Sequence, residues 1–329
     1  MRALFIGGTG FISAAVSRQA VAAGVELYLL NRGTRGAAPP GAHALTADIH
    51  RPDEVRAALG GLRFDAVVDW VAFTPEDIER DISLFKEAGQ YIFISSAAAY
   101  QKPPAHYVIT EETPLENPFW DYARGKIACE ERLTRAHAEE GFPATIVRPS
   151  HTYETNFPVA VGGGGTYTLA TRMKKGLPVV VHGDGTSLWT VTHAEDFARG
   201  FLGLLGNAEA VGQAFHITSD EVLTWDEIYL SIAEGLGVEA RIVHVPSDFI
   251  SRVVPRLAGT LHGDKKWSAV FDNGKVKRFV PGFQATIPFR EGIRRTIEWF
   301  ESDERRGRVD ESLNGETERI LDAYEGRGG

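Results

Sequence analysis

The apolar run Ala3-Leu4-Phe5-Ile6 passes directly into Gly7-Gly8-Thr9-Gly10, and a helical pattern then runs from Phe11 to Ala23. A strand, a glycine turn and a helix in this order leave few options. The turn lets backbone N–H groups approach a pyrophosphate, which then rests on the positive end of the helix dipole. The third glycine of such a turn is replaced here by Ser13, small enough for close helix–sheet packing. Short apolar strands (Phe64 to Val71, Tyr91 to Ile94, Ala144 to Val147) continue to alternate with helical stretches. That rhythm predicts a parallel, doubly wound α/β sheet.

The next strand, Val25 to Leu30, ends about twenty residues after the turn, where a ribose-reading residue belongs. It is followed by Asn31, Arg32 and Arg35. Asparagine does not repel a 2′-phosphate as aspartate would, and two guanidinium forks could bind one, so this reading favours NADP over NAD. The alternative is that Arg32 and Arg35 are solvated loop charges. Asp48 and Ile49 follow the third strand-like run, and Asp48 could accept a hydrogen bond from an adenine amino group.

Tyr122 and Lys126 are four residues apart in a helical stretch from Tyr122 to Glu139, so they share one face. A nearby ammonium is expected to lower the phenol pKa. Such a tyrosine can take a proton from a substrate hydroxyl while hydride leaves the same carbon for a nicotinamide. Ser96 ends the strand Tyr91 to Ile94, where its hydroxyl could orient the substrate oxygen or simply cap a turn.

The segments Gly7 to Ser13, Ser95-Ser-Ala-Ala-Ala-Tyr100, Tyr122-x-x-x-Lys126 and Val147-Arg-Pro149 resemble those of the extended short-chain dehydrogenase/reductases. This is the NAD(P)-dependent epimerase/dehydratase superfamily, and the layout is similar to UDP-glucose 4-epimerases. Gly183-Asp-Gly185, His193-Ala-Glu-Asp196 and Phe271-Asp-Asn-Gly-Lys275 also resemble family landmarks, so the similarity reaches about residue 300. It implies that Ser96, Tyr122 and Lys126 are catalytic and that Lys126 also touches the nicotinamide ribose. It further implies that Gly7, Thr9, Gly10, Phe11, Ile12, Asp48 and Ile49 line the cofactor, bordered by Val71, Ala72 and Pro149.

Three departures narrow the activity. Sugar 4,6-dehydratases of the family carry an acidic pair after the catalytic hydroxyl residue, whereas this chain has Ala97 and Ala98. The extra base of double-epimerising relatives is commonly a cysteine, but the single cysteine, Cys129, is expected to pack on the Tyr122 helix. Nucleotide-sugar enzymes tend to place a diphosphate-gripping arginine where this chain has Trp189, which either stacks on substrate or packs under its loop. His151 and Arg290 are further substrate candidates, each with a structural alternative: a buried hydrogen bond for the first and a surface ion pair for the second.

The expected organisation is a Rossmann-type dinucleotide-binding domain over residues 1–150 plus about 190–218. A smaller mixed α/β substrate-binding lobe is expected over 151–189 and 219–300, including a mobile glycine loop at Gly162 to Gly165. A charged surface helix and tail would occupy 301–329. One cysteine and no charged-then-apolar leader suggest a cytoplasmic protein, and no apolar run approaches a membrane span. The ten histidines show no metal-ligand spacing. The formal charge of −9 argues against nucleic-acid binding. The leading expectation is an NAD(P)-dependent epimerase acting on a sugar, nucleoside or nucleotide sugar, with a homodimer possible. The alternatives are a ketoreductase or dehydrogenase using the same residues, and a non-catalytic RNA-associated or redox-sensing protein.

Overall fold

A computed structural model describes residues 1–34 and 36–326. Its centre is a seven-stranded parallel sheet. The first five strands in sequence are β1 (Arg2–Ile6), β2 (Glu26–Asn31), β3 (His43–Thr46), β4 (Ala66–Asp69) and β5 (Gln90–Ile94). From one edge to the other the order is Ala214–Ile217, Ala144–Pro149, β5, β4, β1, β2, β3. The order reverses at β1, so a crevice opens beyond the carboxyl ends of β1, β2 and β4, the usual place for a ligand in an open α/β sheet.

Period-two alternation along β1 builds two cores. Ala3 and Phe5 pack with Val16 and Ala20 of α1 (Ser13–Ala22), whereas Leu4 and Ile6 join Val55 of α2 (Pro52–Leu59), Ile78 of α3 (Pro75–Phe85) and Leu133 of α4 (Asp121–Glu140). The sheet is therefore covered on both faces, and its strands read as apolar runs for that reason. A third core, holding Tyr153, Phe157, Trp189, Trp225 and Phe300, lies beneath the segments that interrupt the strand–helix rhythm. Short paired strands such as His151–Tyr153 with Val191–His193 frame it. The Thr224 capping box is present: Glu227 N donates to the Thr224 hydroxyl, and the Glu227 carboxylate accepts from Thr224 N.

Two expectations change. The run Gly162 to Gly165 is packed closely rather than draped over the site: the Gly164 carbonyl accepts from Phe157 N at 2.7 Å, and a Cβ on Gly163 would collide with Leu313. Leu313 belongs to the C-terminal helix Glu311–Glu325, which is more than a surface helix. It buries Ile320 and Leu321 against Val161, Val180 and Ile250, and its Glu318 and Asn314 receive the buried Arg172 guanidinium. Among the described residues no helix is long and apolar enough to cross a membrane.

Candidate active site

Gly7 and Gly8 have φ of +95° and +96°, a left-handed conformation that favours glycine. A Cβ at Gly8 would also lie 2.7 Å from Leu29. Ser13, in the third-glycine position, is buried and accepts a hydrogen bond from Gly10 N at 2.9 Å. The turn thus stays open toward a cleft of about 440 Å³. That cleft is lined by Gly7, Thr9, Gly10, Asn31, Arg32, Asp48, Ile49 and Val71 among the expected residues. The backbone-edged cradle and the polar end of β2 fit a dinucleotide. Asp48 also holds its own loop by accepting from His50 N.

Other expected cofactor residues fall differently. Phe11 is exposed beside the turn, and the Ile12 side chain packs into the core, so neither lines the cleft with its side chain. Ala72 contributes its carbonyl to Lys126, and Pro149 lines a second cavity instead. Arg35 lies outside the described residues. The sequence reading missed Gly33, Thr34, His50, Trp70 and Phe73, which reach the cleft from loops after β2, β3 and β4.

The second cavity, about 270 Å³, brings Ser96, Tyr122, Pro149, His151 and Trp189 together with Trp120, Asp264 and Lys265. Tyr122 lies in its wall, beneath the cleft-lining Phe73 with ring centroids 6.1 Å apart. Lys126 lies one helical turn on, fully buried, donating to the Ala72 carbonyl at 2.7 Å and the Ile94 carbonyl at 2.8 Å. Two of its three N–H groups are thereby fixed, leaving one to donate to a ligand. Gly125 makes this possible, because a Cβ there would meet the Phe73 carbonyl at 2.9 Å. Ser96 accepts from Ala98 N at 3.1 Å, so it caps a short turn and faces Tyr122 at once.

The expected electrostatic tuning is corrected. Burial raises the Tyr122 pKa above its ordinary value, and a hydrogen bond with Ser96 opposes this only in part. The Lys126 nitrogen is 5.9 Å from the phenol ring centroid and is itself pushed down to about 8 by burial. Lys126 is therefore a partly desolvated ammonium held on carbonyls, not a strong activator of Tyr122 in this state. Cys129 is buried with its thiol pushed up to about 12 by burial, so it offers no base.

The substrate candidates also sort clearly. Trp189 is only 2% exposed, with the Trp225 ring at 5.3 Å and the Lys265 ammonium 4.6 Å from its ring centroid. It is a packed residue whose edge meets the cavity, not an open stacking platform. His151 lines the cavity, and burial, then the Lys265 ammonium, hold its ring well below the usual imidazole range and therefore neutral. Arg290 is not brought to the site. Its exposed side chain pairs with Glu234 at 3.5 Å, the surface ion pair that sequence had left open.

The NAD dependent epimerase/dehydratase family matches residues 3–218. The 2′-dehydrokanamycin reductase of Streptomyces kanamyceticus is 27% identical over 285 residues, 86% of this chain and 80% of that protein. The chloroplast stem-loop binding protein of 41 kDa b from Arabidopsis thaliana is 29% identical over 75% of this chain and 66% of its own length. UDP-glucose 4-epimerase from Thermus thermophilus, solved with NAD, has the same fold, with a TM-score of 0.71, 22% identity, and coverage of 92% of this chain and 99% of that one. With the glycine turn, the parallel sheet and the Tyr122-x-x-x-Lys126 helix in place, the chain belongs to the NAD dependent epimerase/dehydratase family, within the extended short-chain dehydrogenase/reductases.

Proposed function

We propose that the protein is an NAD(P)-dependent oxidoreductase that interconverts a secondary alcohol and a ketone on a small carbohydrate-like molecule. The observation that carries this reading is the position of Tyr122 and Ser96 in the wall of the second cavity, with buried Lys126 one turn away toward the dinucleotide cleft. When bound, the nicotinamide supplies or accepts the hydride. Tyr122 donates or takes the proton at the substrate oxygen, Ser96 orients that oxygen, and Lys126 uses its remaining N–H to fix the cofactor's ribose.

The cavity of about 270 Å³ lies just below the roughly 300–1,000 Å³ of drug-sized ligand sites, and among the described residues no arginine lines it. A compact substrate without a gripped diphosphate fits better than a nucleotide sugar. An epimerase would have to turn its keto intermediate inside this space and return hydride to the other face. We rank reduction first on the similarity to a 2′-dehydrokanamycin reductase, with epimerisation the second reading, which likeness to UDP-glucose 4-epimerases supports. Incubation with NAD(P)H and candidate keto-sugars separates them. Stoichiometric loss of NAD(P)H absorbance is expected for a reductase, whereas epimer formation without net cofactor consumption would favour the second reading. An RNA-associated role, the alternative that the stem-loop binding relative supports, is opposed by the formal charge of −9.

NADP remains the proposed preference, because Asn31 and Arg32 both line the cleft. Arg32→Ala should weaken NADPH by about 1.5 kcal/mol, the low end for a charge-assisted hydrogen bond at an exposed group, and leave NADH nearly unchanged in a fluorescence titration. Equal losses for both cofactors would mean that Arg32 does not read the 2′-phosphate.

The Lys126 pKa of about 8 sets a second expectation. Below it the group is an ammonium able to donate, and above it that charge is lost. Cofactor affinity should therefore hold at low pH and decline as pH rises through about 8, and Lys126→Met should abolish the step. A cofactor affinity that is unchanged in Lys126→Met at every pH would exclude the ribose-binding role.

A further inference from the structure

The far wall of the second cavity comes from a single π-helical turn, Leu261–Lys265, a rare geometry that recurs at functional sites. The turn is anchored hard. The Lys265 carbonyl accepts from Trp225 Nε1 at 3.0 Å and from His182 Nε2 at 2.9 Å. Its side chain reaches Asp264 Oδ2 at 2.8 Å, and both side chains are almost buried, at 12% and 11% exposure. Next to them, Trp189 Nε1 and His151 Nδ1 are buried without a hydrogen-bond partner, and both residues line the same cavity. Both atoms are enclosed, so the polar groups that this side of the cavity offers a ligand are the Asp264 carboxylate and the Lys265 ammonium.

We propose that Asp264 and Lys265 form a hydroxyl clamp that selects an uncharged cyclic polyol. The inference rests on the alcohol–ketone reading of Tyr122 and Ser96. The carboxylate accepts from one hydroxyl, and the ammonium donates to the neighbouring one. Vicinal hydroxyl oxygens are spaced much as a hydrogen-bonded pair is, so the ion pair can bridge them without separating. Because the two charges cancel, a ligand carrying a net charge would have to open the pair in a poorly solvated place, which is costly. The Trp120 indole gives the ring an apolar surface.

The test uses the full-length protein with NADPH and three ketones: an inosose (a keto-inositol), cyclohexanone and oxocyclohexane carboxylate. Reduction of the inosose should be roughly 10- to 100-fold more efficient than that of cyclohexanone, chiefly through KM. Asp264→Asn should bring the ratio toward one. Should that variant fold poorly, inositol quenching of tryptophan fluorescence in the NADPH complex of the parent protein is the second readout. No quenching overturns the clamp. Equal efficiency with inosose and cyclohexanone also overturns it. A preference for the carboxylate, lost on Lys265→Met, overturns it too and makes Lys265 an anion receptor. Reduction that depends on Tyr122 but shows no polyol preference removes the clamp alone. Absence of any reduction despite tight NADPH binding removes the alcohol–ketone reading, and the clamp with it.

Discussion

Tyr122→Phe is expected to lower turnover roughly 10²–10⁴-fold, the range for losing a positioned proton donor, while fold and cofactor binding survive. Only the oxygen is removed. The ring keeps its contacts with Trp120, 4.8 Å between centroids, and with Phe73, and Lys126 keeps both carbonyl partners. Because burial already disfavours the phenolate, Tyr122 is better poised to donate a proton to a developing alkoxide than to remove one from an alcohol. Ketone reduction should therefore be faster than alcohol oxidation near neutral pH, and both should fall together in the variant. The rate of NADPH oxidation, alongside a NADPH titration, measures this. Turnover near that of the parent protein would exclude Tyr122 as the proton donor.

Glu130→Ala should destabilise the fold by about 3–5 kcal/mol, the range for stranding one charge of a buried pair. Glu130 and Arg148 are 2% and 6% exposed at their side chains. Arg148 Nε donates to both carboxylate oxygens at 3.0 and 3.1 Å, its Nη2 donates at 2.6 Å, and its Nη1 donates to the Tyr100 hydroxyl at 3.1 Å. Glu130 also receives the Ser95 hydroxyl, so the pair ties α4 to the strand end that carries Ser96. The double variant with Arg148→Met should cost clearly less than Glu130→Ala alone, because no guanidinium is then left buried without a carboxylate. Chemical denaturation of the two variants decides it. Equal losses in both would show that packing, not the stranded charge, sets the cost.

What could be read from the sequence is what is encoded locally. The glycine turn depends on a few consecutive backbone angles, and Tyr122 and Lys126 share a face because of helical repeat alone. Asn31 was placed by counting from the turn and Asp48 by its position after the third strand, and each lines the cleft. Asp264 and Lys265 carried no such signal. Only the π-helical turn and the three rings packed around Lys265 bring it to the cavity. Arg290 failed for the converse reason: a charge suited to an anion was present, but the helix Phe289–Glu301 turns it toward Glu234 and solvent. The C-terminal helix was readable but underread. Leu313, Thr317, Ile320 and Leu321 recur at helical spacing, and that stripe is the face that docks.

Gly125 sits inside a twenty-residue helix, where alanine would ordinarily gain about 0.5–1 kcal/mol. Any scheme that ranks substitutions by helix propensity would select that change first. Yet the absent Cβ is the clearance through which α4 approaches the loop bearing Ala72 and Phe73, and Lys126 spans that gap to reach the Ala72 carbonyl. The position is thus a spacer between helix and loop. Local stability and correct placement of Lys126 pull in opposite directions there, and a sturdier helix could come with a less capable enzyme.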